Sequence, residues 1–283
     1  MNKIFAVFGD PVEHSLSPVM HNAAYKALGM DCEYHKFRVT IDDLEAAIKG
    51  ARAMGFGGLN LTIPLKEKAL EIVEPDTMAR DIGAVNTIKF SDDAIAGITG
   101  IAGHNTDGIG AVKALVASGG DIPGSNVLIL GAGGAARAVA YQLAKDGARV
   151  TIANRTPGRA QELAKNVRSV GDASGTGLEE LPGLTANADI VINTTSVGMH
   201  PDTGRTLVTA DMMHTGQVIF DIVYSPLETR LLREANKAGS VTIDGIRMLV
   251  LQGAESFRIW TGIEPPVDVM EQAVRDVIKP MAF

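Results

Sequence analysis

Lys66 closes the stretch NLTIPLK, residues 60–66, and Asp107 lies within GHNTDGIG, residues 103–110. A lysine next to a carboxylate stays protonated at neutral pH and can hand its proton to an oxygen that is gaining charge. Ser15 and Ser17 stand two apart in GDPVEHSLSPVMHN, residues 9–22. In an extended segment their hydroxyls point the same way and reach one small anion. Asn86 in GAVNT and Gln252 in MLVLQGAE add two amides. Gln252 shares a helical face with Met248 and Leu249, so it needs a polar partner, either backbone or ligand. Each residue also has a plain structural use. Ser17 can cap a helix starting at Pro18, Lys66 can decorate the surface, Asn86 can make a turn, and Asp107 can cap the helix that follows.

A second set of residues points to a dinucleotide. NVLILGAGGAARAVAYQLAKDGARVTIANR, residues 126–155, carries Gly131-x-Gly133-x-x-Ala136 between a buried-strand run and an amphipathic helix. In that setting Gly131 allows the tight turn, Gly133 lets the backbone approach a pyrophosphate, and Ala136 lets helix and strand pack closely. The loop Gly131, Ala132, Gly133, Gly134 and Ala135 then leads into a helix N-terminus that faces the anion with N–H groups. An NAD site carries an acid about 20 residues on, to hold the ribose 2′-OH. Here Asn154, Arg155, Thr156 and Arg159 stand there instead. An acid would repel a 2′-phosphate and an arginine would hold it, so the cofactor reads as NADP. Thr156 as N-cap and Pro157 at the first helical position is the structural alternative, and it leaves the arginines available.

These residues must be placed by alternating strands and helices. Strands are expected at Lys3–Phe8, Glu33–Arg38, Gly58–Leu61, Val85–Phe90, Asn126–Leu130, Arg149–Ala153, Asp189–Asn193, Val218–Asp221 and Ser240–Ile243, with helical patterns between most of them. The pattern predicts an α/β fold with mainly parallel sheets. The break between domains is expected near Asp107–Gly110, ahead of the glycine-rich turn Ser118–Pro123. The last ~40 residues read as helical. The chain has 283 residues, enough for two modest domains, and is 46% apolar and 21% charged. Its formal charge of −7, with no long basic run, argues against nucleic acid as a partner. No stretch approaches the ~18 apolar residues of a membrane helix. MNKIFAVFGD reads as a strand rather than a signal peptide. The single cysteine, Cys32, fits a reducing cytoplasm.

Together the motifs form a resemblance over almost the whole chain. SLSP, N-x-TIP-x-K, GAVNT, NTDG-x-G, GAGGA, NRT, Val197–Met199, Asp221-x-x-Tyr224-x-Pro226 and Gln252 with the later WTG occur in order. In these the chain resembles the shikimate dehydrogenase family. The resemblance implies an N-terminal α/β substrate domain, a Rossmann-type NADP domain, and C-terminal helices returning to the first domain. Residues 1–107 with 245–283 would form the substrate domain and 108–244 the NADP domain, closing about a hinge when NADP binds. It implies that Ser15 and Ser17 bind the substrate carboxylate, while Thr62, Asn86, Asp107 and Gln252 hold ring hydroxyls. Tyr224 also reaches the substrate, and Lys66 with Asp107 forms the catalytic pair. Asn154, Arg155 and Thr156 take the 2′-phosphate, with Arg159 close by. Thr195, Val223, Gly245 and Met248 surround the nicotinamide.

The implied reaction is reversible, NADP-dependent reduction of 3-dehydroshikimate to shikimate, by a cytoplasmic monomer or homodimer that uses no metal. Three residues depart from the family pattern: Leu61 for valine, His104 for tyrosine, and Arg247 for a small residue. A relative acting on both quinate and shikimate is the nearest alternative. Quinate-preferring relatives often carry threonine at the second serine and an acid after the second nucleotide strand, and Ser17 and Arg155 argue against both. A non-catalytic NADP-binding regulator would have no need to keep Lys66, Asp107, Ser15 and Ser17 together. A tRNA-linked reductase with a similar strand end fits neither the acidic charge nor the setting of Cys32.

Overall fold

A computed structural model describes residues 3–91 and 100–278. The chain divides into two compact units. The described residues up to Thr106, with those from Val250 on, form one; Asp107–Leu249 forms the other.

The first unit runs β1 (Lys3–Gly9), α1 (Ser17–Ala27), β2 (Cys32–Arg38), α2 (Leu44–Ala53), β3 (Gly58–Leu61), β4 (Glu74–Pro75), α3 (Thr77–Ile82), β5 (Thr87–Phe90) and β6 (Ile101–His104). The sheet order is β2-β1-β3-β5-β6-β4. β1 pairs parallel with β2 and β3, and β4 with β6, while β5 runs antiparallel to β3 and β6. β1 lies inside the sheet, and its apolar run is buried from Phe5 onward. β2 sits at the edge, and its charged residues keep that edge from pairing with another chain. One core cluster joins Phe8, Leu59, Leu61 and Ile88 of the sheet to Leu44 and Ile48 of α2.

The second unit runs α4 (Asp107–Ala117), β7 (Asn126–Leu130), α5 (Gly134–Lys145), β8 (Arg149–Ala153), α6 (Pro157–Val167), β9 (Asp172–Thr176), α7 (Leu181–Ala186), β10 (Ile190–Asn193), β11 (Val218–Asp221), α8 (Arg230–Ala238) and β12 (Val241–Ile243). Its six strands are all parallel, in the order β12-β11-β10-β7-β8-β9. That is the doubly wound dinucleotide-binding order, with the switch point between β7 and β10. α9 (Gly245–Thr261) begins in this unit and ends in the first.

α10 (Val267–Ile278) packs on α1, so the terminal helices return to the first unit as expected. Trp260 of α9 donates its indole N–H to the Ile88 carbonyl at 2.9 Å. Gly58 makes room for it, since a Cβ there would stand 2.3 Å from that nitrogen. The end of the expected helical tail, residues 279–283, lies outside the described residues.

All nine expected strands form, within two residues of their expected ends. β4, β6 and β9 were not expected. Their sequences, EP, IAGH and DASGT, are short and hold proline or glycine in place of an apolar β-branched run. Among the described residues no helix is long and apolar enough to cross a membrane.

Candidate active site

In the second unit the candidate nucleotide residues gather at the carboxyl ends of parallel strands. Gly131 directly follows β7 with φ +110, a region that L side chains rarely adopt. A Cβ on it would meet Thr194 Oγ1 and Thr195 Cγ2 at 2.9 Å each. The fold itself therefore demands this glycine. Gly133 differs: its φ of −92 and ψ of −170 suit any residue, and a Cβ there would meet nothing within 4 Å. The open space lies over the start of α5, where Gly133 is the N-cap and brings no side chain to satisfy the helix N–H groups. A pyrophosphate fits that cradle. Ala136, the small residue that close helix–strand packing calls for, is fully buried.

β8 ends at Ala153, and Asn154 turns its amide onto the Thr156 carbonyl at 3.0 Å. Arg155, Thr156 and Arg159 are exposed. Thr156 is the N-cap of α6 by position, but its hydroxyl makes no capping hydrogen bond. The structural alternative thus accounts for Thr156's place and not for its side chain.

Beside the switch point, Asn193 and Asp221 end β10 and β11 as register partners. Asn193 Nδ2 donates to Asp221 Oδ1 at 2.9 Å, and its Oδ1 accepts the Thr195 hydroxyl at 2.7 Å and the Thr195 N–H at 3.1 Å. Asp221 also accepts from the Val223 N–H at 3.0 Å and the Thr229 hydroxyl at 2.6 Å. Asp221 is fully buried, and burial pushes its carboxyl up to about 6 against those three donors. Thr195 and Val223 thus stand on a buried amide–carboxylate pair. Gly245 opens α9 where a Cβ would lie 2.4 Å from the Ile222 carbonyl oxygen, and Met248 is buried three residues on. Tyr224 follows in the same loop, its phenol pushed up by burial.

The first unit collects its candidates along one edge. Ser15 and Ser17 follow β1, Thr62 and Lys66 follow β3, and Asn86 precedes β5, which runs antiparallel to β3. Gly9 is needed there, because a Cβ would stand 2.3 Å from Thr62 Cγ2. The two serines depart from the expected extended geometry. Leu16 between them has φ −95 and ψ 0, and it, not Ser17, is the N-cap of α1. Ser15 Oγ instead accepts the Ser17 N–H at 3.3 Å, which gathers the pair at the start of the helix. Lys66 is half-buried, and its carbonyl accepts the Val85 N–H at 2.8 Å.

Asn86 is no ordinary turn residue: it is buried, and its Oδ1 accepts the Thr106 N–H at 2.9 Å. A backbone N–H only donates, so the oxygen of Asn86 is fixed inward. Its Nδ2 reaches Thr106 Oγ1 at 2.9 Å and Gln252 Oε1 at 3.4 Å. The polar partner required of Gln252 includes this amide. Asp107 follows Thr106 directly, as the first residue of α4, and is 5% exposed.

Comparison with known proteins bears on this arrangement. Residues 7–88 match the shikimate dehydrogenase substrate binding domain, 114–247 match shikimate / quinate 5-dehydrogenase, and 245–275 match the shikimate 5′-dehydrogenase C-terminal domain. The shikimate dehydrogenase (NADP(+)) of Methanosarcina mazei is 57% identical over 99% of this chain and 100% of its own. The chain belongs to the shikimate dehydrogenase family. A solved shikimate dehydrogenase in complex with NADP+ superposes with a TM-score of 0.91 at 43% identity, over 99% of this chain and 96% of the other. The enzyme from Thermus thermophilus, in complex with NADP(H) and shikimate, does so at 0.86 and 39%, over 97% and 99%.

Two of the departures from the shikimate dehydrogenase pattern have local accounts. Leu61 is absorbed in the core cluster. His104 Nδ1 lies 2.6 Å from Asp76 Oδ2, and Asp76 also caps α3 through the Ala79 N–H at 2.7 Å. For Arg247, nothing in the structure explains the change. Sequence reasoning missed Asn60, Thr87, Thr106 and Ser256, which surround Asn86, and Asn193, which carries Thr195. Asn60, Thr87 and Thr106 lay inside quoted motifs, but a buried polar residue leaves no periodic signal of its own.

Proposed function

We propose that this protein catalyses the reversible, NADP-dependent reduction of 3-dehydroshikimate to shikimate, with Lys66 and Asp107 as its proton-transfer pair. The reading gives residues 1–107 with 245–283 to the substrate and 108–244 to NADP. The enzyme works in the cytoplasm as a monomer or homodimer. The observation that carries the reading is the convergence on one edge of the first unit's sheet. Ser15, Ser17, Thr62, Lys66 and Asn86 all follow or precede strands at that edge, and Gln252 joins them through Asn86.

Reduction of a ketone needs a hydride at carbon and a proton at oxygen. NADPH, when bound, supplies the hydride. Lys66 supplies the proton and stabilises the oxyanion as it forms, with Asp107 as its partner in proton transfer. Ser15 and Ser17 hold the carboxylate through their hydroxyls. Thr62, Asn86, Asp107, Tyr224 and Gln252 fix the ring so that a single carbon faces the cofactor. Gly131 to Ala135 carry the pyrophosphate, and Asn154, Arg155, Thr156 and Arg159 the 2′-phosphate. Thr195, Val223, Gly245 and Met248 seat the nicotinamide.

The test is the initial rate of NADP reduction at 340 nm with shikimate, repeated with NAD and then with quinate. Fast turnover with NADP and shikimate, and little with NAD, is expected. Equal rates with NAD would leave the Arg155 cluster as solvated surface. Faster turnover of quinate would overturn the substrate assignment.

A further inference from the structure

Ser256 lies on α9 one helical turn past Gln252, and its side chain is fully buried. Its hydroxyl meets four groups from four separate parts of the first unit. Asn60 Nδ2 of β3 donates to it at 2.9 Å. Thr87 Oγ1 of β5 lies 2.8 Å away, and Thr106 Oγ1, beyond β6, lies 3.3 Å away. The Gln252 carbonyl accepts from it at 3.2 Å.

The directions of the Asn60 and Gln252 bonds follow from carbonyl groups that can only accept. The Asn86 carbonyl accepts from Asn60 at 3.1 Å, so the atom of Asn60 facing inward is its amide nitrogen. Its Oδ1 then accepts the Tyr34 hydroxyl at 2.7 Å. On the other side, the Thr87 hydroxyl lies 2.9 Å from Asn86 Oδ1 and 2.8 Å from the Ser256 hydroxyl; in the second contact either oxygen can donate, since the one proton of Ser256 also reaches the Gln252 carbonyl. One connected network therefore runs from Tyr34 through Asn60, Ser256 and Thr87 to Asn86, and on through its Nδ2 to Gln252 Oε1. It ties Ser256 to the two amides. In such a buried chain each bond polarises the next, and a missing member leaves its neighbours unsatisfied.

We infer that Ser256 is a positioning residue for substrate: through Asn60, Thr87 and Thr106 it holds the Asn86 amide in one orientation, and through Asn86 that of Gln252. Asn86 is held with its oxygen inward, and its Nδ2 meets Thr106 Oγ1 and Gln252 Oε1, which fixes one arrangement of polar atoms for a polyhydroxylated ring. The inference rests on the reading of Asn86 and Gln252 as substrate ligands.

The experiment is steady-state kinetics on Ser256→Ala in the full-length enzyme, varying shikimate and NADP separately. The shikimate KM is expected to rise about fivefold or more, the size seen when a buried hydrogen-bond partner is removed. The NADP KM should stay within about twofold, because the lost contacts lie on the substrate side. Thr87→Val removes the next hydroxyl while keeping its shape, and carries the same test if Ser256→Ala does not accumulate folded. The double variant should be little worse than the poorer single one, as for two links of one chain. A folded variant with unchanged shikimate KM, or with both KM values raised equally, overturns the inference. Asn86→Ala in the same assay separates the two levels. If it leaves the shikimate KM unchanged, the ligand reading fails and takes the inference with it. If it raises KM while Ser256→Ala does not, the positioning role alone fails.

Discussion

In the second unit the candidate site is made by main chain. Gly131 turns where no side chain is tolerated, Gly133 leaves space over a helix N-terminus, and both lie in one stretch of six residues. In the first unit the site is made by side chains. Asn60, Asn86, Thr87, Thr106, Gln252 and Ser256 meet inside the protein although Asn60 and Ser256 are 196 positions apart. Main-chain sites tolerate changes of side chain and fail when a Cβ is added. Side-chain sites do the reverse, and each residue depends on the partners that orient it.

The sharpest way to break that comparison is Lys66→Met. It leaves the backbone as it is and removes only the ammonium. kcat is expected to fall by about 100-fold or more, the range for loss of a general acid, with little change in shikimate KM. Near-wild-type kcat would remove Lys66 from the chemistry.

A pair of alanine variants sharpens the other side. Gly131→Ala forces a Cβ into a backbone region that disfavours it and onto Thr194 and Thr195. It should destabilise the protein by about 1–3 kcal/mol, seen as a lower midpoint in urea. Gly133→Ala meets nothing and should leave the midpoint unchanged or slightly raised. It should nevertheless raise the NADP KM by about tenfold, because the added methyl occupies the space the pyrophosphate needs. An unchanged NADP KM would mean that the cradle holds no ligand.

The same contrast explains how much the sequence disclosed. The nucleotide half was legible because backbone demands leave local marks: a glycine turn, a small residue at a packing contact, an acid replaced by arginine. The mainly parallel architecture followed from short apolar β-rich runs alternating with helical patterns, and the strands that escaped were those without such runs. On the substrate side, Lys66, Asn86, Gln252 and the two serines were legible as residue types, and their grouping rested on family resemblance. The residues that fix Asn86 were not legible. Thr87, Thr106 and Ser256 are common small polar residues, and only the folded chain shows that they meet. Ser17 shows the limit within one motif: spacing suggested an extended pair, but the Ser15 hydroxyl binds the Ser17 N–H and starts the helix early.

The smallest effect separates the units by pH. Each buries a titratable group whose preference opposes that of the other. In the first, His21 is fully buried, its ring stacked on Tyr34 at 4.4 Å, and burial pushes it down to about 3. Native His21 is neutral where the unfolded chain would bind a proton, so its contribution to stability is lost as pH falls below the unfolded value of ~6.5. In the second, Asp221 is pushed up to about 6, so the native state keeps a proton that the unfolded chain releases near pH ~4. Its contribution is present at low pH and is lost as pH rises through about 6. Between pH ~4 and ~6 the two slopes oppose each other, each limited to about 1.4 kcal/mol per pH unit. Asp221→Asn keeps the shape and removes one slope. Urea midpoints measured across that range should then show a steeper loss of stability on acidification than in the wild type. Identical slopes would place Asp221 in its ionised form throughout, with Asn193, Val223 and Thr229 donating strongly enough to hold a fully buried charge.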